Sequence, residues 1–273
     1  MKLSLSVRVA EHFNEKRRVT IPIKELAAIA KLSGYNALCM RASVVGVDDP
    51  PKHIREVREI IDHNGLEISM TTGDFPVPEN NQKGPDCLQN ITPYLDLADA
   101  LETDLIRVCM KSHDDIPFAA SAADEASDRN IRLAHQSHTR SIFETVEGSL
   151  EVLRKIGRPN FGIIYEPANL ALCGEDYGPK TLEAFSPYLF NIYLQNHIPE
   201  KNGPMPMHTW TRGIVDSRLY PLDSGDGIQF EQVFNGLKAV NYEGWITLHH
   251  SFDGTIPPSE AAKRSADFLH SFE

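Results

Sequence analysis

The chain has 273 residues, enough for one sizeable core, and its 38 acidic against 27 basic side chains give a formal net charge of −11. That balance repels phosphate backbones and anionic lipid surfaces, and no Lys/Arg run offsets it, so neither nucleic acid nor membrane is expected as a partner. Cys39, Cys87, Cys109 and Cys173 lack metal-type spacing, and the first apolar stretch is too short for a signal peptide. Reduced thiols and a cytoplasmic location are therefore expected.

In chain order, Leu3 to Val7 predicts a strand ending at Arg8, and Pro22 to Ser33 an amphipathic helix closed by Gly34. A strand over Ala37 to Met40 ends at Arg41, followed by a helix over Pro50 to Asn64 that stops at Gly65. Glu67 to Thr71 predicts the third strand, Cys87 to Leu101 a helix, Leu105 to Val108 a fourth strand enclosing Arg107, and Phe118 to Arg129 a helix. The stretch from Ile131 to Asp176 reads as one β-α-β unit, with strands over Ile131 to Ala134 and Phe161 to Tyr165 and a helix over Thr145 to Ile156. A short helix over Thr181 to Ser186, a strand over Leu189 to Leu194, a helix over Ile228 to Val240, a strand over Trp245 to Leu248 and a helix over Ser259 to Ser271 complete the chain.

Eight alternating strand–helix units predict an α/β fold, a parallel closed (β/α)8 TIM barrel occupying 1–273 as a single domain. An open doubly wound sheet is the alternative, but no GxGxxG or GxxxxGK[ST] supports its nucleotide-binding forms. The segment Ile198 to Gly227 shows no periodicity and reads as a lid, a binding loop or an interface arm. Its Met205, Met207 and Trp210 need burial, against a sugar face or against a neighbouring subunit of a homo-oligomer.

Ligands of parallel α/β folds bind at the carboxyl ends of strands, so the polar residues there are the candidates. Arg8, Arg41 and Arg107 end three strands, and barrel closure brings them to one rim. They fit an acidic, phosphorylated or polyol substrate, or else balance the charge of Glu166. Alternation puts Gln136 and His138 on one side and His135 on the other, and likewise separates His249 from His250. His138, Asn169 and His197 join the arginines as substrate-binding candidates. Glu166 follows an apolar strand, where a carboxylate needs a partner or a metal. His249, an imidazole titrating near neutral pH, suits a general base or a metal ligand.

The motifs LAHQSHTRSIFET, RPNFGIIYEPANL and PYLFNIYLQNH, with the Gly-Asp-Gly and helix leading into YEGWITLHH, resemble the xylose isomerase-like TIM-barrel superfamily of sugar isomerases and epimerases. The likeness spans essentially the whole chain. It implies a small carbohydrate substrate and one divalent cation, often Mn²⁺, Mg²⁺ or Co²⁺. The family's ligands are a Glu after the fifth strand, an Asp or Glu after the sixth, a His on the seventh and a Glu after the eighth. These positions fall on Gln136, Glu166, Tyr193 and His249. Only Glu166 keeps a family ligand, and Gln195, two residues beyond Tyr193, supplies a compensating oxygen.

The expected metal set is therefore Gln136, Glu166, Gln195 and His249, poorer in negative charge than the family's and better suited to Mn²⁺, Co²⁺ or Zn²⁺ than to Mg²⁺. Glu166 and His249 are the expected catalytic pair of a sugar isomerase/epimerase-like enzyme acting on a carbohydrate or polyol. Two alternatives remain within the resemblance. One is a carbon–glycoside deglycosidase-like lyase acting on oxidised glycosides with a histidine base. The other is a non-catalytic sugar-binding relative without its metal. The superfamily's endonuclease branch needs a zinc cluster and a basic face, which this acidic chain lacks.

Overall fold

In the computed structural model, which describes residues 1–251 and 255–273, eight short runs become parallel strands. They are β1 (Lys2–Ser6), β2 (Ala37–Met40), β3 (Glu67–Thr71), β4 (Leu105–Val108), β5 (Arg132–Gln136), β6 (Phe161–Tyr165), β7 (Leu189–Leu194) and β11 (Trp245–Leu248). They close in the order β1-β11-β7-β6-β5-β4-β3-β2, the topology of a (β/α)8 barrel. Helices between the strands bury one face each. That of Val146–Ile156 turns Val152, Leu153 and Ile156 inward, starts on the Thr145 hydroxyl and ends at Gly157 in the left-handed region (φ 61°). Among the described residues no helix is long and apolar enough to cross a membrane.

The apolar interior divides in two. The larger part lies between the sheet and the helices, and a smaller one fills the barrel itself with Cys39, Met70, Leu105, Ala134, Ile164 and Tyr193. Beside it, polar pairs satisfy each other across the barrel: Ser4 with Ser69 (2.7 Å), and Thr247 donating to Asn191 (2.9 Å). Because strand side chains alternate, the residue two positions beyond each inward one also faces inward, one layer higher. Two beyond Cys39, Leu105, Ala134, Ile164 and Tyr193 stand Arg41, Arg107, Gln136, Glu166 and Gln195. Plain alternation thus converts a dry floor into a polar mouth.

Several expectations shift. The first strand stops at Ser6, whose hydroxyl accepts from the Arg8 N–H (3.2 Å) and starts a short 3-10 turn over Val7–Ala10. The fifth strand extends through Gln136 rather than ending at Ala134. The helix expected over Cys87 to Leu101 is broken into Asp86–Gln89 and Thr92–Ala100, with Asn90 in a non-helical conformation between them. A helix not expected, Pro167–Cys173, starts directly after Glu166 with proline in its first turn.

The largest correction concerns Ile198 to Gly227, which is regular as far as Leu219. Strands β8 (His197–Pro199), β9 (Met205–Thr209) and β10 (Gly213–Leu219) form an antiparallel sheet in the order β8-β10-β9. Pro206 disguises β9, yet it is tolerated because β9 is an edge strand. The hairpin between β9 and β10 is pinned by buried Glu144, whose carboxylate accepts from the backbone N–H groups of Trp210 (2.7 Å) and Thr211 (2.8 Å).

Candidate functional site

At the carboxyl ends of the strands a cavity of about 250 Å³ opens, lined by Arg8, Lys16, Arg107, Gln136, His138, Asn169, Gln195, His197 and His249. Met205, Met207 and Leu219 of the three-stranded sheet, Phe13, Pro78 of the short helix Pro76–Glu79, and Ser251 complete its wall. A larger hollow of about 730 Å³ lies beside Met1, Tyr242 and Phe272. It is at the amino ends of β1 and β11, the barrel face that serves stability rather than chemistry.

Eight expected site residues meet in this wall: Arg8, Arg107, Gln136, His138, Asn169, Gln195, His197 and His249. Two stand behind it. Glu166 is completely buried, and its carboxylate accepts from Gln136 Nε2, Gln195 Nε2 and Asn169 Nδ2, the last at 2.8 Å. Burial raises its pKa to about 8, against the pull of the Gln195 and Asn169 hydrogen bonds and of Arg107 and Lys16. Arg41, expected to bind substrate, is 1% exposed and absent from the wall. Its Nε and Nη2 donate to the two oxygens of Glu11 at 2.7 and 3.1 Å, so its fork is spent on holding the first loop.

The wall itself is cationic. Arg8 donates to the carbonyls of His12 and Phe13 (3.4 and 3.0 Å) and lies 3.7 Å from Glu11; burial lowers its pKa to about 10. Lys16 donates to the Pro78 carbonyl (2.9 Å) and is pushed down to about 7 by burial, Arg41, Arg8 and Arg107. Arg107, on β4, is 3% exposed, and its Nε has no hydrogen-bond partner.

His249 stacks on Tyr193 (4.1 Å between centroids, 10° between planes) and shares a 3.0 Å hydrogen bond through Nδ1 with the Ser6 hydroxyl. Burial first, then Arg41, Arg107, Arg8 and Lys16, holds its pKa well below the usual histidine value, so the ring is neutral. Tyr193 shares a 3.1 Å hydrogen bond with Cys39, beneath the site. His138 Nδ1 lies within hydrogen-bond distance of both Asn80 Nδ2 (2.9 Å) and the Thr139 carbonyl (2.7 Å), and His197 shares a 2.7 Å bond through Nε2 with Ser217. Alternation correctly separates the other two histidines. His135 stacks on Phe143 outside the barrel (4.1 Å), and His250 accepts from the Asn196 N–H (3.3 Å).

Sequence reading missed Lys16, Glu11 and Ser6. The first two stand in a loop without periodicity, where nothing marks a side chain as inward. Ser6 was legible: the alternation Leu3-Ser4-Leu5-Ser6 puts both serines on one face. Trp210, expected over a sugar or a subunit, is 52% exposed and lies outside the cavity wall.

A divalent cation needs several anionic or lone-pair donors converging on one point. Here Glu166 is the one carboxylate of the expected set, and three amides turn N–H groups toward it. Among the described residues no group of three His, Cys, Asp or Glu side chains is placed to hold an ion. Arg8, Lys16 and Arg107 add positive charge to the same wall, and Gln136 Oε1, buried without a partner, is one spare neutral donor. These residues do not fit Mn²⁺, Co²⁺, Zn²⁺ or Mg²⁺.

Residues 26–272 match the family model described as xylose isomerase-like TIM barrel. Comparison with curated proteins gives no significant match. Among solved structures, a D-allulose 3-epimerase from Methylomonas sp. is similar over 100% of this chain and 98% of its own, at 16% identity and TM-score 0.69. A 3-keto-D-glucoside 4-epimerase from E. coli is similar over 99% of both chains, at 15% identity and TM-score 0.67. A xylose isomerase domain protein from Planctomyces limnophilus is similar over 99% of this chain and 95% of its own, at 13% identity and TM-score 0.72. At such identities the likeness establishes the fold.

Proposed function

The chain belongs to the xylose isomerase-like TIM-barrel family, and from that premise we propose that it binds a small carbohydrate bearing a carbonyl group at the barrel mouth and moves a proton on the carbon beside that carbonyl, without a metal. The observation that carries this reading is His249. Its ring forms part of the cavity wall, its neutrality suits a base, and Ser6 and Tyr193 fix its orientation. A proton taken from the α-carbon leaves an enediolate, whose charge Arg107 and Lys16 in the same wall would balance. Return of the proton from His249 to the neighbouring carbon gives an isomer, and protonation of the first carbon from its other face by solvent water gives an epimer. Glu166 acts in this scheme as the post that orients Gln136, Gln195 and Asn169, which hold substrate hydroxyls.

Exchange of solvent deuterium into ketoses and 3-keto-glycosides, followed by NMR, tests the reading. The wild type is expected to exchange the α-proton, and His249→Gln to lose roughly 10²- to 10⁴-fold in rate with binding retained. A wild type that binds these sugars without exchanging them would leave the second reading, a binding protein. The three amides engaging the one family carboxylate favour that second reading. A histidine base at this position also serves β-elimination from an oxidised glycoside, so release of aglycone from 3-keto-glycosides belongs in the same assay.

A further inference from the structure

We infer that the substrate is an anion, a sugar or polyol bearing a carboxylate or phosphate, and that Arg107 is the residue that grips its charged group; this rests on the carbohydrate reading of the cavity and narrows it. Arg107 is the starting observation. It is 3% exposed, its side chain lines the cavity, and among the described residues no carboxylate lies within ion-pair distance of it. Its Nε is buried without a hydrogen-bond partner. A buried guanidinium left so is costly, and folded proteins rarely keep one without use for it.

The obvious internal partner is Glu166, and it is already engaged. Its two oxygens receive three amide N–H groups. Glu11, the other buried carboxylate nearby, is taken by Arg41, Ser43 and Arg8. Neither therefore neutralises Arg107. Around it, Arg8 and Lys16 add two more cations to the wall while spending their own hydrogen bonds on backbone carbonyls. They supply field, whereas Arg107 supplies unspent donors.

A neutral hydroxyl could meet those donors but would leave the charge of Arg107 without a counter-ion, in a wall that also holds Arg8 and Lys16. A planar carboxylate or a phosphate meets both needs, since either accepts the guanidinium fork and cancels charge. The effect is local, because the chain as a whole carries −11 and would repel the same anion elsewhere. The polyol part of the ligand would lie toward Gln136, Asn169 and Gln195, whose amide groups suit hydroxyls.

The test is calorimetric titration of the full-length protein with D-glucuronate, D-fructose 6-phosphate, inorganic phosphate and neutral D-fructose at fixed pH and ionic strength. At least one anionic sugar is expected to bind about tenfold or more tighter than D-fructose, and which one names the charged group. Arg107→Gln is expected to weaken that anionic sugar roughly 10- to 100-fold and to weaken D-fructose far less, so that the preference for the anion collapses. The same variant should melt no lower than the wild type in the absence of ligand, because it removes an uncompensated charge.

Anionic sugars binding no better than D-fructose would overturn the inference, a result that needs no variant. Anionic binding indifferent to Arg107→Gln, or binding of inorganic phosphate alone, would overturn it too. Failure here is separable from failure of the proton-transfer reading. Anion binding without deuterium exchange removes only the latter, and exchange of neutral sugars with anions ignored removes only the former.

Discussion

The ends of β2 and β4 each bury an arginine, and they do so on different terms. Arg41 forms a bidentate pair with Glu11, to which Ser43 adds a third bond at 2.7 Å, and only its Nη1 goes without a partner. Burial pulls its pKa down, but Glu11 outweighs burial and holds it above the usual range. Arg107 has burial without that compensation, and its pKa is lowered. Both come from the same rule, an inward residue two positions beyond an apolar one, so position alone does not distinguish them. What distinguishes them is whether the fold supplies the counter-charge. Where it does, the arginine is structure; where it does not, the counter-charge is left for a ligand.

Breaking the satisfied pair should have the largest effect on stability. Glu11→Gln leaves Arg41 buried without its counter-charge, and Arg41→Met leaves Glu11 only Ser43 and, at 3.7 Å, Arg8; each is expected to cost up to about 3–5 kcal/mol in denaturant unfolding. The double variant should recover much of that loss. Arg107→Met removes a charge that has no partner, so it is expected to be neutral or stabilising. If Arg107→Met cost as much as Arg41→Met, the comparison would collapse and Arg107 would be a structural residue too.

A pH-dependent effect bears on the same comparison, through the carboxylate nearest to Arg107 in role. Glu166 has a folded pKa of about 8 against an ordinary value of 4.5. The folded state therefore holds a proton that the unfolded state has released, so stability falls as pH rises through that window. Glu166→Gln carries no such proton. Its stability relative to the wild type should improve steadily from pH 4.5 to about 8, measured by melting temperature at matched ionic strength. A flat difference would mean that Glu166 is ionised in the folded state, and hence available to pair with Arg107.

Much of this was readable before any coordinates. The strands over Ala37–Met40, Glu67–Thr71, Leu105–Val108, Phe161–Tyr165, Leu189–Leu194 and Trp245–Leu248 have the bounds that their apolar runs predict. Gly34 and Gly65 take the left-handed conformation that ends a helix, as their positions imply. Period-two alternation reaches Arg107, Gln136, Glu166, Gln195 and His249. What alternation misses is pairing at long range. The Arg41–Glu11 bond spans 30 residues and ends in a loop, and the Gln195–Glu166 bond spans 29. Composition at Gln136 and Gln195 offers oxygens to a metal or nitrogens to a carboxylate, and only the packed geometry chooses. The sheet of β8 to β10 stayed hidden because Pro206 interrupts its pattern and the Glu144 anchor lies 66 residues from Trp210.

The most direct measurement is deuterium exchange into the preferred sugar by protein stripped of metal with chelator, compared with the same protein resupplied with Mn²⁺ or Zn²⁺. The account predicts undiminished exchange in the stripped protein, no gain on adding either ion, and loss in His249→Gln. Exchange that vanishes with chelator and returns with Mn²⁺ or Zn²⁺ would contradict it and restore Gln136, Glu166, Gln195 and His249 as metal ligands.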